Sequence, residues 1–447
     1  MNPDLPKNEP IISVGLLQDV EAATFRLAGG FVDRSGQSFP EGEYRVDSHE
    51  GVLRCTGPRS TESSELVLEP NDDNATRFSL ETTIGIDFHW QQKERQAFSG
   101  GLRFKPSGDE RFTIINDVPL EAYLTSVICS EMDASSPLEL IKAHSVVSRS
   151  WLLAQRKSFT PESDEGAYSK ESDGEHIRWY DHEAHRDFAV CADDHCQRYH
   201  GVGRIKSSNA LQAVAETRGQ VLTYSGKLCD ARYGKCCGGV TEAFSVAWAD
   251  DEVPYLVPVL DGPSEWAPLP DLAHDDALRE YLLEPLDVYC NCTDEQILAA
   301  ILTPHDRETR DFFRWKIQLS AAETSDLLRK KLGVDLGRVL ALEPVERGLS
   351  GRLKRMRWVG ERGSLVIGKE LEIRRALSRS HLYSSAFVVD VDGPTDCPDA
   401  FVLSGAGWGH GVGLCQIGAA VMAWQGTRYV EILSHYYPGT LMERLYE

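Results

Sequence analysis

No stretch of the 447 residues approaches the ~18 consecutive apolar residues that a membrane-crossing helix requires. The opening Met1-Asn2-Pro3-Asp4 lacks the basic flank and apolar stretch of a secretory signal, so either a leader has been removed or the protein has none. Positive charge is also short. With 47 Lys and Arg against 69 Asp and Glu the formal charge is −22, and the pI is near 5.1. That balance argues against a nucleic-acid partner, because phosphate binding is driven by counterion release to Lys and Arg. The acidic residues are scattered, as on a solvated surface. No internal repeat is visible. Eleven cysteines are too few for a disulfide scaffold in a chain of this length, so their spacing carries more than their number.

What is present is a globular pattern, 41% hydrophobic, long enough for two or three domains. The predicted class is α+β. Residues 1–105 read as a β-rich N-terminal part of short runs such as Ile11-Ile12-Ser13-Val14-Gly15-Leu16, and Arg111-Phe112-Thr113-Ile114-Ile115 reads likewise. A mixed α/β core is expected over 106–264, then an α+β subdomain over 265–385, then a return to the core over 386–447. One helix is expected to start at Pro119, with Leu120, Tyr123, Leu124 and Val127 on its apolar stripe. A second should start from Ser136 as N-cap, with Pro137 first in the helix and Glu139 completing a capping box. Residues 156–185 are polar and read as a surface loop or insertion. Val221 to Lys227 reads as a strand entering a tight turn.

Three features have chemical content. Glu131 lies in the turn Ser130-Glu131-Met132-Asp133-Ala134-Ser135 between the two helices, where desolvation can make a carboxylic acid a proton donor at neutral pH. The plainer reading is a cap or a solvated charge. Lys142, Ser145 and Arg149 share a helix face, so that two cations could meet a substrate, or simply form salt bridges. The loop Gly405-Ala406-Gly407-Trp408-Gly409-His410-Gly411-Val412-Gly413 lacks the order of a nucleotide-binding loop. Its backbone can approach something closely, with Trp408 offering a face for a sugar ring and His410 a hydrogen bond, although glycine and tryptophan also meet in ordinary turns. Separately, His182, His185, Cys191, His195 and Cys196 fall close together and have the donor types zinc prefers. A Cys191–Cys196 disulfide and free thiols are the alternatives.

The segments Asn116-Asp117-Val118-Pro119-Leu120-Glu121-Ala122-Tyr123-Leu124, Ser130-Glu131-Met132, Pro137 to Ala143 and Ser148-Arg149-Ser150 resemble the signature of the stage II sporulation protein D and amidase-enhancer family. The loop Gly407 to Gly413, then Gln416-Ile417-Gly418-Ala419, then Glu431 to Gly439, is similar to that family's C-terminal signature. Ala231-Arg232-Tyr233, Gly238-Gly239, Thr241-Glu242, Pro254-Tyr255-Leu256 and Gly351-Arg352 fit between them, so the resemblance covers roughly 110 to 440. It implies a lytic transglycosylase that cleaves peptidoglycan glycan strands stripped of stem peptides and leaves 1,6-anhydro ends, with Glu131 as the acid/base. The non-catalytic alternative is a glycan-binding enhancer of a cell-wall amidase. Substrate contacts are then expected from Lys142, Arg149, Tyr233, Trp408, His410 and Gln416.

The same resemblance implies a structural zinc held by His185, Cys191, His195 and Cys196. Glycan strands and a cell-wall amidase are the partners it suggests. An envelope or periplasmic location is expected from that substrate, with the cytoplasm left open by the missing leader. Cys236, Cys237 and Cys415 depart from the family pattern, standing where relatives carry small or hydroxyl residues. Cys236-Cys237 and Cys290-Asn291-Cys292 could form a second metal site or disulfides, and we read them as core thiols.

Overall fold

The computed structural model describes residues 6–72, 75–86, 91–133, 135–155, 169–172, 174–179, 185, 187–193, 195–263, 269–284, 286–302 and 311–447. It is an α+β protein of two compact units, the first formed by Met1–Pro161, Ala184–Val221 and Met442–Glu447, the second by Glu162–Glu183 and Leu222–Leu441. This division differs from the expected boundaries at 105, 264 and 385. The strand Ile11–Val20 pairs antiparallel with Phe112–Pro119, so the β-rich N-terminal part and the helices after it belong to one unit. Those are two of the runs expected to be strands, and they are direct neighbours. The second unit is similarly continuous. Trp315, Leu342, Trp358 and Ile373 share a core with Phe387, Phe401 and Leu403, so 265–385 is not separate from the C-terminal strands.

The first unit contains a seven-stranded and a six-stranded sheet. In the smaller one, period-two alternation puts Phe78, Leu80, Thr82 and Ile84 of Arg77–Ile84 inward, and Tyr44, Val46 and Ser48 of Gly42–His49 likewise. Phe25 of that sheet meets Phe104 of the larger one with ring centroids 5.0 Å apart, which is two sheets packed face to face. Phe112–Pro119 carries an unbroken run of buried residues from Phe112 to Asn116, because both of its faces are covered. On one, Phe112 contacts Phe104; on the other, Ile115 packs with Phe188 and Cys191.

The helix Leu120–Glu131 comes directly after this strand, one residue later than expected, with Pro119 at its N-cap. Leu120, Tyr123, Leu124 and Val127 are each fully buried, worth about 1.5–3 kcal/mol apiece for side chains of this size. The next helix is Leu138–Gln155. Pro137 accepts its first turn's bond, from the Ile141 N–H at 3.1 Å, so it precedes the helix instead of opening it.

In the second unit a five-stranded sheet runs in the order Ser169–Ser172, Glu175–Arg178, Gly363–Gly368, Leu353–Gly360, Val339–Arg347. Part of the polar 156–185 stretch is therefore strand and not loop. The strand Gln220–Tyr224 turns through Ser225 and Gly226, both at positive φ, into Lys227–Leu228, as its sequence anticipates. Ala321–Leu332 shows why a helix begins and ends where it does. The Ser320 hydroxyl accepts the Glu323 N–H, and Gly333 takes the left-handed conformation at the other end. Among the described residues no helix is long and apolar enough to cross a membrane.

Candidate functional site

Glu131 is the last residue of its helix and is half-buried. One carboxylate oxygen accepts the backbone N–H of Arg198 at 3.3 Å. The segment from Gln197 to His200 is laced to the same helix at several points. Tyr199 stacks on Tyr123 with centroids 5.1 Å apart, and its hydroxyl donates to Asn116 Oδ1 at 2.6 Å. Tyr123 donates to Gln197 Oε1 at 3.2 Å, while the His200 N–H reaches the Ser130 hydroxyl at 3.4 Å. Burial of the Tyr199 phenol pushes its pKa upward, so it remains a donor. Asp133, two residues past Glu131, accepts the Ser135 N–H at 3.0 Å and its hydroxyl at 2.7 Å, an Asx-type turn.

That segment leads straight out of the metal-ligand cluster. His185, Cys191, His195 and Cys196 each offer a donor atom, and all four lie within 4.8 Å of one another. His185 Nε2 is 3.4 Å from Cys196 Sγ, His195 Nδ1 is 3.5 Å from Cys196 Sγ, and it is 3.8 Å from Cys191 Sγ. A tetrahedral zinc with Zn–S near 2.3 Å and Zn–N near 2.0–2.1 Å separates its ligands by roughly 3.5–3.8 Å, so the donor set fits such an ion. The hydrogen bond from Cys196, then those from His185 and His195, pull the Cys191 thiol strongly toward its thiolate form despite burial. His182 lies outside the described residues. The eleven cysteines form no disulfide, which removes the Cys191–Cys196 bridge.

The platform beneath the cluster is set by sequence. Val14 and Gly15 pair in parallel with Val190 and Cys191. A Cβ on Gly15 would fall 2.4 Å from the Phe188 ring, and Phe188 in turn stacks on His185 with centroids 4.5 Å apart. Glycine at 15 is what lets the ligand loop settle on the sheet.

The two cations expected to face a substrate have carboxylate partners inside the first unit. Lys142 contacts Glu216 at 2.7 Å and Glu139 at 2.9 Å; these bonds, that from Glu216 foremost, raise its pKa. Arg149 is fully buried. Its Nε and Nη2 grip the two oxygens of Glu121 at 3.0 and 2.6 Å, and Nη1 donates to the Gln220 carbonyl at 2.9 Å. Glu121 also receives the Tyr446 hydroxyl at 2.7 Å. Both cations of this helix face are thus in ion pairs, Arg149 in the interior with Glu121 and Lys142, partly buried, with Glu139 and Glu216.

Tyr233, Trp408, His410 and Gln416 belong to the second unit. Gly407, Gly409, Gly411 and Gly413 all have positive φ, so glycine at every second place of the loop is a backbone requirement. The loop wraps the buried guanidinium of Arg352. Arg352 donates to the carbonyls of Cys237 at 3.1 Å and Gly409 at 3.2 Å and to the Ser350 hydroxyl at 3.0 Å. Ser350 then donates to buried Glu242 at 2.7 Å, whose pKa is raised by desolvation.

Trp408 stacks on Phe312 with centroids 4.9 Å apart, which covers one indole face. His410 accepts the Val412 N–H on Nδ1 at 3.0 Å and makes a hydrogen bond with the Tyr233 backbone. Its pKa is lowered to about 3 by burial, then by Arg232, Arg374 and Arg352. His410 is therefore a neutral bracket between its loop and the strand Tyr233–Gly234, which pairs in parallel with Leu414–Cys415. Gln416 is buried at the start of the helix Gln416–Trp424.

Sequence reasoning missed Gln197, Arg198 and Tyr199 as the contacts that hold the Glu131 helix end. Their signal was position, immediately after Cys196. It also missed the buried Arg352, Ser350 and Glu242 network, although Gly351-Arg352 and Thr241-Glu242 stood out as motifs.

Two family profiles match the chain: one described as stage II sporulation protein over residues 108–224, the other a domain of unknown function over residues 242–413. The amidase enhancer of Bacillus subtilis (strain 168) is 25% identical over 334 residues, covering 71% of this chain but 40% of that protein. The stage II sporulation protein D of the same organism is 25% identical over 327 residues, 73% of this chain and 75% of the relative. Its counterpart in Bacillus amyloliquefaciens is 25% identical over 334 residues, 73% and 74%. The stage II sporulation protein profile takes in the Ser130-Glu131-Met132 triplet at the helix end, and the chain is similar to the stage II sporulation protein D and amidase-enhancer proteins.

Proposed function

We propose that this protein is a peptidoglycan lytic transglycosylase with Glu131 as its acid/base. The observation that carries the reading is the setting of Glu131: a half-buried carboxyl at a helix C-terminus, one oxygen held by the Arg198 N–H. A carboxyl group can give a proton and take one back within a single reaction cycle. Glycosidases ordinarily use two carboxylates. One suffices when the substrate supplies its own nucleophile. Glu131 first protonates the leaving glycosidic oxygen as the C6 hydroxyl of the same N-acetylmuramic acid attacks C1, and its carboxylate then accepts that hydroxyl's proton. The product is a 1,6-anhydro end and no water is consumed. Intramolecular positioning replaces much of what a second carboxylate would do.

Zinc at His185, Cys191, His195 and Cys196 would supply a closed, four-ligand crosslink and no water-activating position. The ligand loop itself carries Arg198 and Tyr199 to the end of the Glu131 helix. Trp408 is proposed as the sugar-stacking side chain, with glycans stripped of stem peptides as the substrate and the cell envelope as the location. The test is mass spectrometry of stripped glycans after incubation. Anhydro-ended fragments are expected from the wild type, and Glu131→Gln should lower their rate by about 10²–10⁴-fold. Absence of such fragments, where a known transglycosylase yields them, would overturn the proposal.

A second reading is favoured by one finding, the relative named amidase enhancer. On that reading the chain binds glycan and stimulates a separate amidase. Glu131→Gln separates the two, because a binder keeps its stimulation and an enzyme loses cleavage.

A further inference from the structure

The second unit holds a second convergence of metal-binding side chains. Donor atoms of Cys237, Asp261, Cys290 and Cys415 all lie within 4.8 Å of one another, and the four residues are 4%, 0%, 1% and 2% exposed. Cys237 Sγ and Cys290 Sγ are 3.6 Å apart, far beyond the ~2.05 Å of a disulfide and close to the separation of two thiolates on one tetrahedral ion. Cys236, 1% exposed, adjoins the Cys290 and Cys415 thiols. The first expectation, isolated core thiols, does not account for this. A core thiol packs as a small hydrophobe, whereas here thiols from distant parts of the chain and a carboxylate share one dry pocket. Removing a carboxylate from water is unfavourable unless it is paired or coordinates a cation.

The surroundings hold the ligands in place. Cys415 is the N-cap of the helix Gln416–Trp424, where the positive end of the helix dipole meets its sulfur. The Cys237 N–H also donates to Cys415 Sγ at 3.2 Å. Asp261 is fixed on both oxygens, by the Tyr436 hydroxyl at 2.5 Å and the Cys290 N–H at 2.9 Å. A Cβ at Gly418 would lie 2.3 Å from Asp261 Oδ1, so glycine in the first turn of that helix makes room for the carboxylate. Arg352, by gripping the Cys237 carbonyl, fixes one ligand backbone to the glycine loop. Such outer contacts orient ligands in structural metal sites.

We propose that Cys237, Asp261, Cys290 and Cys415 bind a structural zinc ion, separate from the one at His185 to Cys196, which clamps four chain segments of the second unit. Soft thiolates with one carboxylate select zinc over magnesium or calcium.

The test uses the full chain. In a Cys191→Ser, Cys196→Ser variant, which disables the other cluster, elemental analysis after desalting should give about one zinc per chain. Cobalt exchanged into it should show the near-ultraviolet thiolate-to-metal band. Adding Cys290→Ser should reduce bound metal and that band at least tenfold, while adding Cys229→Ser should change neither. If the variants fail to fold, the same count on the wild type should be about two, falling to about one in Cys290→Ser alone. A folded double variant without metal and unable to take up cobalt overturns the proposal. So does a thiol count in denaturant two short of the remaining nine, which means a disulfide, and so does iron with acid-labile sulfide, which means a cluster.

Discussion

At the scale of single residues, the helix Leu138–Gln155 shows how a partner in space decides what a side chain does. Lys142, Ser145 and Arg149 do line one face, as their spacing says, and the Arg149 guanidinium lies against the Ser145 carbonyl at 3.4 Å. The spacing could not say that Glu121 and Glu216 wait opposite that face. A buried arginine is tolerable only while its charge and donors are satisfied, so Arg149→Met is expected to cost about 3–5 kcal/mol. Because that loss is mainly the stranded Glu121 carboxylate, Arg149→Met with Glu121→Leu should recover much of it; urea denaturation of the three variants checks this. Tyr199→Phe removes the hydroxyl from Asn116, whose amide already donates to the Ser99 and Gly101 carbonyls at 2.9 Å each. About 1–3 kcal/mol should be lost with the stranded acceptor, again read by denaturation.

At the scale of elements, the glycine loop is a backbone solution to enclosing an arginine. A Cβ on Gly411 would stand 2.3 Å from Arg352 Cζ, whereas one on Gly36, at a similar positive φ, meets nothing within 4 Å. Gly36→Ala should therefore lose only the left-handed backbone term of about 1–2 kcal/mol. Gly411→Ala should lose a further 1–3 kcal/mol or so by overpacking, and thermal melts of the pair give the difference. The His410 bracket adds a pH dependence. Its folded pKa is about 3 because of burial and nearby arginines, against ~6.5 unfolded. Below pH 6.5 the unfolded chain takes up a proton that the fold refuses, so stability falls as the pH drops from 6.5 toward 3. His410→Asn should flatten that acid limb in urea titrations. His381, with its pKa lowered to about 4 by burial, contributes in the same sense and will leave part of the slope. The loop's glycines and the Gly351-Arg352 motif were both conspicuous in the sequence, yet their contact was not, because nothing local announces which side chain a loop will wrap.

At the scale of the whole molecule, the ligand loop from His185 to Cys196 is also the support of the Glu131 helix end. Chelation or Cys196→Ser should therefore accelerate amide exchange in 195–200 and 128–131 while leaving the strand Gly42–His49 unchanged; equal exchange with and without metal would show that the loop needs no ion to hold Arg198 in place. Much of this was determined by the sequence alone. Alternating and three-to-four residue periodicities mark strands and helices because burial on one face repeats locally, and the cluster at 185–196 is legible because its ligands are close in the chain. The Ser130-Glu131-Met132 triplet and the glycine loop were visible for the same reason. Only the tertiary structure decided the rest: that Ile11–Val20 lies against Phe112–Pro119, that Arg149 is interior, and that Cys237, Asp261, Cys290 and Cys415 share a pocket. The physical reason is common to all three. Periodicity reports which way a side chain faces, but a charge or a ligand is satisfied by whatever the fold brings to it, and those partners are separated by 28 residues for Arg149 and Glu121 and by 178 for Cys237 and Cys415.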